Sequence, residues 1–307
     1  MPKRIIITGA TGLIGKNISN VLLDKKYELI ILSRSPQKAE LIIPGASQYL
    51  EWDSTKETSD TWKRFIDGAD AIIHLAGENV MAKRWSEDHK RNVIESRRIG
   101  TKKLVDAIAE SSVKPKLFLS ASAIGYYGYN PFETFDENSK YGSDFFSDVV
   151  KVWEDEAIKA KQYGAREVRI RIGIVLDKNE GALAKMIIPY KYCIGGPLGS
   201  GKQWFPWIHI DDLVNLFVYA IENDFVHGAL NGVSPGIVTM KEFSKMLGKA
   251  MHRPSIFKVP EFILKIIVGE GADAVTKVSK VVPTRTIESG YHFSYAELEK
   301  TLHNILK

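Results

Sequence analysis

A single cysteine among 307 residues, Cys193, excludes an internal disulfide and a cysteine-based metal cluster. Such usage belongs to a reducing compartment, and Cys193 itself reads as a small core residue. The chain also lacks the ~18 consecutive apolar residues that a bilayer-crossing helix needs. Its opening apolar run, Ile5-Ile6-Ile7, ends at Thr8-Gly9, too soon for the core of a secretory leader. An excess of one charge is nearly missing too. The 42 basic and 37 acidic residues leave +5, spread along the chain, whereas a nucleic-acid binder concentrates its cations in a stripe. Internal repeats and low-complexity tracts are absent. Hydrophobic residues at 44% and charged residues at 26% describe an ordinary globular chain, long enough for one large domain or two. The expectation is a cytoplasmic protein, monomeric or homodimeric, whose partner is a small molecule rather than nucleic acid or a membrane.

What the chain has instead is an alternation of short β-branched runs and longer amphipathic stretches. Strands are expected at Arg4–Thr8, Glu28–Ser33, near Gln48–Trp52, and at Ala71–Leu75, Lys116–Ser120 and Glu167–Ile172. Helices are expected near Leu13–Leu23, around Glu87–Ser111 and about Asp144–Tyr163. Strands without polar alternation, separated by helices, predict a parallel sheet covered on both faces, the doubly wound α/β (Rossmann) fold. From about Asp177 the rhythm changes to a glycine-rich loop, Gly195–Gly201, and a mostly helical tail broken at Pro254, Pro260 and Pro283. This divides the chain into a nucleotide-binding domain, 1–176, and a smaller, mostly helical C-terminal substrate domain, 177–307. Residues 205–224, with a strand at Trp207–Ile210 and a helix start at Asp211-Asp212, are expected to return to the sheet.

Thr8-Gly9-Ala10-Thr11-Gly12-Leu13-Ile14-Gly15 lies between the first strand and the first helix. Gly9 permits a tight turn, Gly12 lets a diphosphate approach the backbone, and Gly15 lets the helix pack closely on the strand. With Thr11, Leu13 and Ile14 these residues form a site for a dinucleotide, whose negative charge is favoured by the helix N-terminus. After the second strand comes Ser33-Arg34-Ser35, without the acidic residue that commonly meets the ribose of NAD. A guanidinium there suits a 2′-phosphate, so NADP(H) is expected over NAD.

Together with His74-Leu75-Ala76-Gly77 and Ser120-Ala121-Ser122-Ala123, followed by Tyr127-Gly128, this turn resembles the extended short-chain dehydrogenase/reductase superfamily. Leu75-Ala76-Gly77-Glu78-Asn79, Arg84-Trp85, Ser96-Arg97, Trp153-Glu154, Gly195–Gly201 and Trp207–Asp212 are similar to its atypical "epimerase family" branch. The resemblance runs nearly end to end. It implies that Leu75, Ala76 and Gly77 flank the adenosine and diphosphate, and that Ser120 and Leu176 contribute to the cofactor site, Leu176 near the nicotinamide. It places Asp53 near the adenine, although an aspartate after a strand equally reads as a turn former. Arg97 stands where the superfamily has an asparagine, and a guanidinium there suits a cofactor phosphate or an anionic substrate.

The catalytic pattern departs from the superfamily. Redox members use a tyrosine and a lysine four residues apart, because a phenol beside an ammonium exchanges protons readily. This chain's helix offers Ser147 and Lys151, which read as a surface pair. The remaining candidates are Ser122 and a loop tyrosine, Tyr126 or Tyr127, with Tyr127 preferred as proton donor or else packed under its loop. The diphosphate-sugar clamp is missing as well, its places held by Ile174 and Phe205-Pro206, and an aromatic lining from Trp204, Phe205, Trp207 and Tyr127 suits a flatter ligand. His209, Asp211 and Asp212 lack a third metal ligand and read as strand end and helix cap, so no metal is expected. Two functions remain open: an NADP-dependent oxidoreductase acting on a small substrate, or a silent NADP(H)-binding sensor or scaffold.

Overall fold

The computed structural model describes residues 3–81 and 83–307. The chain builds β1 (Arg4–Thr8), α1 (Leu13–Asp24), β2 (Glu28–Ser33), α2 (Pro36–Ile42), β3 (Gln48–Glu51), β4 (Ala71–His74), α3 (Glu87–Glu110) and β5 (Leu117–Ala123). It continues with β6 (Thr134–Phe135), α4 (Phe145–Ile158), β7 (Arg166–Ile172), β8 (Ile174–Leu176) and α5 (Gly181–Lys191). Then follow β9 (Trp204–Phe205), β10 (Trp207–His209), α6 (Ile210–Glu222), β11 (Gly228–Gly232), β12 (Val238–Thr239) and α7 (Met240–Met251). The strand positions expected from the periodicity hold to within a few residues, while the short α2, opened by Pro36, was too brief to show a period.

Seven strands form one parallel sheet in the order β11-β7-β5-β4-β1-β2-β3. The apolar runs Ile5-Ile6-Ile7 and Leu29–Leu32 are almost wholly buried because both sheet faces are covered. On one face Ile5 and Ile7 meet Ile18 and Leu22 of α1 and Leu213 and Phe217 of α6. On the other, Ile6, Ile30 and Phe118 meet Leu104 and Ile108 of α3. Helix α1 buries Gly15, Ile18, Ser19 and Leu22, the spacing of one helical stripe. A third core joins Leu183, Phe205, Trp207, Phe243, Leu247 and Leu302 in the largely helical C-terminal region. Because β1 neighbours both β2 and β4, the connections diverge there and leave a crevice over the strands' C-terminal ends.

Two expectations need correction. The strand at 207–209 does not join the central sheet: β10 pairs with β8 in a separate two-stranded sheet. What returns is α6, against one face, and then β11, which extends the sheet edge beside β7. Cys193 is no core residue either. It is exposed just after α5 with φ at 60°, where the chain turns sharply after the helix.

Candidate functional site

The floor of the crevice is a buried chain of hydrogen bonds. Thr8 Oγ1 lies 2.8 Å from His74 Nδ1, and His74 Nε2 lies 3.1 Å from Thr101 Oγ1 on α3. The Ala76 N–H donates to Thr8 Oγ1 at 3.4 Å. Complete burial, aided by the Arg97 charge, pushes His74 down to about 3, so the ring is neutral and locks β1, β4 and α3 together.

On this floor sits the glycine turn. Gly9 adopts φ +70°, and a methyl group there would lie 2.7 Å from the Leu75 carbonyl carbon. At Gly15 it would lie 2.4 Å from the Gly9 oxygen and 2.6 Å from Ala10 Cα. At Gly12 its nearest neighbour would be the Gly9 oxygen at 3.5 Å, an ordinary contact. Gly9 and Gly15 are therefore demanded by the protein's own packing, whereas Gly12 keeps open a space that the protein does not fill. Gly12 is also the N-cap of α1, and no side chain caps that end. Thr11 and Gly12 are exposed and Leu13 and Ile14 half-buried, and the first-turn N–H groups of a helix have no intrahelical partner, as an anion site requires. Leu75 and Ala76 lie against Gly9 and lead to the exposed Gly77.

Ser33 ends β2 with its Oγ accepting from the Ser35 N–H at 3.2 Å, which leaves Arg34 exposed at the rim. Asp53 accepts from the N–H groups of Thr55 and Lys56 at 2.8 and 2.9 Å. Burial works to raise its carboxyl, but those donors, with the Arg34 charge, hold it below the usual range. Asp53 thus closes a turn near Arg34.

Beyond the crevice lies a cavity of about 200 Å³ between the ends of β5 and β7, α3, α4 and the segment 274–281. Its wall is mostly apolar: Val93, Ala123, Ile124, Phe146, Val150, Trp153 and Ile174. A wider open cleft of about 860 Å³ shares Asp144, Phe145, Phe146 and Lys277 with it. Arg97 reaches the cavity from α3, its guanidinium 5.0 Å from the Trp153 ring. One nitrogen, Nη1, donates to the carbonyls of Glu78 and Val93 at 3.0 Å each. Burial pulls Arg97 down to about 10, so it remains a cation at neutral pH.

Several sequence expectations fail here for identifiable reasons. Of the surface pair expected at Ser147 and Lys151, only Lys151 is partly exposed. Ser147 is wholly buried in a capping box with Asp144, and Lys151 bonds Asp155 at 2.5 Å. The positions one turn apart that face the cavity are Phe146 and Val150, whose hydrocarbon side chains carry no exchangeable proton. Ser122 turns inward, donating to Glu154 Oε1 at 2.6 Å. The Tyr127 hydroxyl donates to Asn231 Oδ1 at 2.7 Å and accepts from Arg171 Nη1 at 2.9 Å, and burial drives its pKa far above the ordinary phenol value. Neither side chain is placed as a proton donor, and Tyr127 matches the packed alternative. Ser120 is fully buried with its hydroxyl on the Ala121 carbonyl, and the Leu176 side chain belongs to the third core, so neither side chain lines the crevice.

The expected aromatic lining is displaced too. Phe205 stacks on Phe243 at 4.0 Å and Trp207 is fully buried, while Phe146 and Trp153 supply the aromatic wall. The helix cap after β10 is His209 itself, whose Nδ1 accepts from the Asp211 N–H. Asp212 instead accepts from the N–H groups of Ser294 and Tyr295. Sequence reading missed the α4 register, although the Asp144-x-x-Ser147 capping pattern marks it. It also missed the buried network of Glu154, Arg169 and Arg171, for which alternating charges on β7 were the available signal.

A glycine turn at the first crossover of a doubly wound sheet, facing a crevice and a cavity, defines a dinucleotide-fold protein of the short-chain dehydrogenase type. The chain belongs to the NAD dependent epimerase/dehydratase family, which it matches over residues 5–231, and residues 259–305 match a domain of unknown function, DUF1731. It is 41% identical over 305 residues to the epimerase family protein SDR39U1 homolog, chloroplastic, of Arabidopsis thaliana, covering 99% of this chain and 86% of that one. With the epimerase family protein YfhF of Bacillus subtilis it shares 35% over 303 residues, covering 98% and 97%. Among solved structures, human epimerase family protein SDR39U1 (isoform 2) with NADPH superposes at a TM-score of 0.87, with 33% identity and 98% of both chains covered. A nucleoside-diphosphate sugar epimerase from Corynebacterium glutamicum gives 0.78 at 29%, covering 99% of this chain and 58% of that one. No helix among the described residues is long and apolar enough to cross a membrane.

Proposed function

We propose that this protein binds NADP(H) at its first crossover and exchanges hydride with a small substrate held in the adjoining cavity. The observation that carries the reading is Gly12, where the protein leaves room at an uncapped helix end that its own packing does not need. The N–H groups of the first turn of α1 hold the diphosphate, Leu75–Gly77 confine it, and the exposed Arg34 meets the 2′-phosphate with Ser33 beside it. The relative solved with NADPH supports the phosphorylated cofactor. When bound, the nicotinamide supplies or accepts the hydride. The apolar walls shield the reacting face, Arg97 supplies a positive charge that favours an anionic substrate, and the proton is exchanged with solvent through the wider cleft.

Calorimetric titration of NADPH and NADH tests the cofactor half. NADPH is expected to bind at least about tenfold more tightly, and Arg34→Ala to remove that preference while leaving NADH binding unchanged. Equal binding of both by the parent protein removes the NADP assignment, and binding of neither removes the proposal. A second reading, a cofactor-binding sensor without turnover, is favoured by Phe146 and Val150 at the cavity-facing positions of α4. Following NADPH absorbance across a panel of carbonyl and unsaturated compounds separates the two, since oxidation of NADPH excludes the sensor.

A further inference from the structure

We infer that the cavity is a binding site for a small planar carboxylate, with the carboxylate on Arg97 and the flat body against Phe146 and Trp153. The inference deepens the proposed hydride exchange and rests on it only for calling this ligand the substrate.

Three observations converge. First, Arg97 is a cation without a carboxylate partner among the described residues. Among the described residues only Nη1 is engaged, and by neutral carbonyls, so Nε and Nη2 retain donors in the fork geometry that matches a carboxylate. A buried guanidinium is costly to leave without a counter-charge. Arg171, by contrast, has Glu154 on both sides of its fork.

Second, the head group is preoriented. The two carbonyl bonds and the Trp153 ring at 5.0 Å hold it between α3 and α4, so little side-chain freedom is lost when an anion arrives.

Third, the rest of the cavity specifies shape and polarity. Phe146, Val150, Trp153 and Ile174 offer flat and branched apolar surface. The volume of about 200 Å³ exceeds the ~150 Å³ that accommodates one benzene ring, leaving room for a ring or short conjugated chain with its acid group. The charged lining residues Asp144 and Lys277 are shared with the wider cleft, so a sugar would leave most of its hydroxyls unpaired against the apolar wall. The diphosphate turn at Gly9–Gly15 is not part of the cavity lining, while Gly77 packs against the Arg97 guanidinium, so competition with NADP+ is what separates a ligand's carboxylate from the cofactor's phosphate.

The experiment titrates benzoate and cinnamate, and their neutral amides benzamide and cinnamamide, into the full-length protein, following tryptophan fluorescence and heat. Each titration is run alone and at saturating NADP+. The acids are expected to bind at least about tenfold more tightly than the amides, and saturating NADP+ to leave that binding intact or to strengthen it. Arg97→Gln is expected to erase the preference for acid over amide, and Arg97→Lys to restore part of it. Because altering Arg97 could unfold the protein, Val80→Phe at the cavity wall serves as a second variant and should weaken both ligands without touching the charge.

Equal binding of acid and amide overturns the inference, as does acid binding that survives Arg97→Gln. Displacement of the acid by NADP+ also overturns it, by assigning Arg97 to the cofactor's phosphate. Failure of NADPH to bind, with acid binding intact, would count against the proposed function and leave the carboxylate site standing.

Discussion

Glu154 on α4 and Arg171 on β7 are joined along both edges of their planar groups, Nε to Oε1 at 2.8 Å and Nη2 to Oε2 at 2.9 Å. Both side chains are only 3% exposed. Arg169 adds a bond to Oε2 at 2.6 Å and Ser122 one to Oε1 at 2.6 Å. The carboxylate thereby anchors α4, and with it the Phe146–Trp153 wall, to the sheet. Arg171 carries the connection onward through Tyr127 to Asn231 on β11.

Glu154→Gln should accordingly lower stability by about 3–5 kcal/mol, because Arg171 would be left beside a neutral amide in a dry layer while Arg169 keeps Glu167. Burial opposes ionisation of Glu154, but hydrogen bonding and charge from Arg171 and Arg169 outweigh it and hold the carboxyl below its usual range. A depressed acid contributes stability that is present above the unfolded value of about 4.3 and lost as pH falls through the lower folded value. Urea midpoints at neutral pH measure the loss, and a variant as stable as the parent would refute the ionic anchor.

Gly12 and Gly15 should separate binding from folding. Gly15→Ala places a methyl 2.4 Å from the Gly9 oxygen and is expected to destabilise the protein by about 1–3 kcal/mol or more. Gly12→Ala meets only an ordinary contact at 3.5 Å and should stay within about 1 kcal/mol of the parent, yet weaken NADPH at least about tenfold. Urea melts paired with calorimetry decide this, and unaltered NADPH affinity in Gly12→Ala would contradict the phosphate turn.

His74 gives the protein an acid-sensitive floor. Its folded pKa is about 3 against an unfolded value of 6.5, so the unfolded chain takes up a proton that the folded chain refuses. The stability is therefore present above about pH 6.5 and declines on acidification, by up to about 1.4 kcal/mol per pH unit from this group, until the folded value is reached. Stability measured from pH 7.5 to 5 should fall, and His74→Asn, though less stable throughout, should show a slope shallower by one proton. An unchanged slope would mean that the ring charges in the folded state.

Much of the fold was legible because it is written in local pattern. The runs Ile5–Ile7 and Leu29–Leu32, uniformly apolar, belong to strands buried on both faces, and Gly9, Gly12 and Gly15 mark the turn by spacing alone. The cavity was not legible. Its α4 wall depends on a helical register in which one residue of offset rotates the helix by about 100°. That offset makes Phe146 and Val150, rather than Ser147 and Lys151, the residues that face the cavity.

The hydroxyls of Ser122 and Tyr127 illustrate the same limit at close range. Sequence places them beyond a strand's C-terminal end, where reacting groups collect, but their direction depends on Glu154, 32 residues from Ser122, and Asn231, 104 residues from Tyr127. Hydrophobic periodicity and glycine spacing, both set by neighbours a few residues away, determined the sheet, its covering helices and the phosphate turn. Which polar groups point into the cavity and which are consumed in the core was decided only by tertiary structure, because hydrogen bonds and ion pairs between distant segments choose the orientation of each side chain.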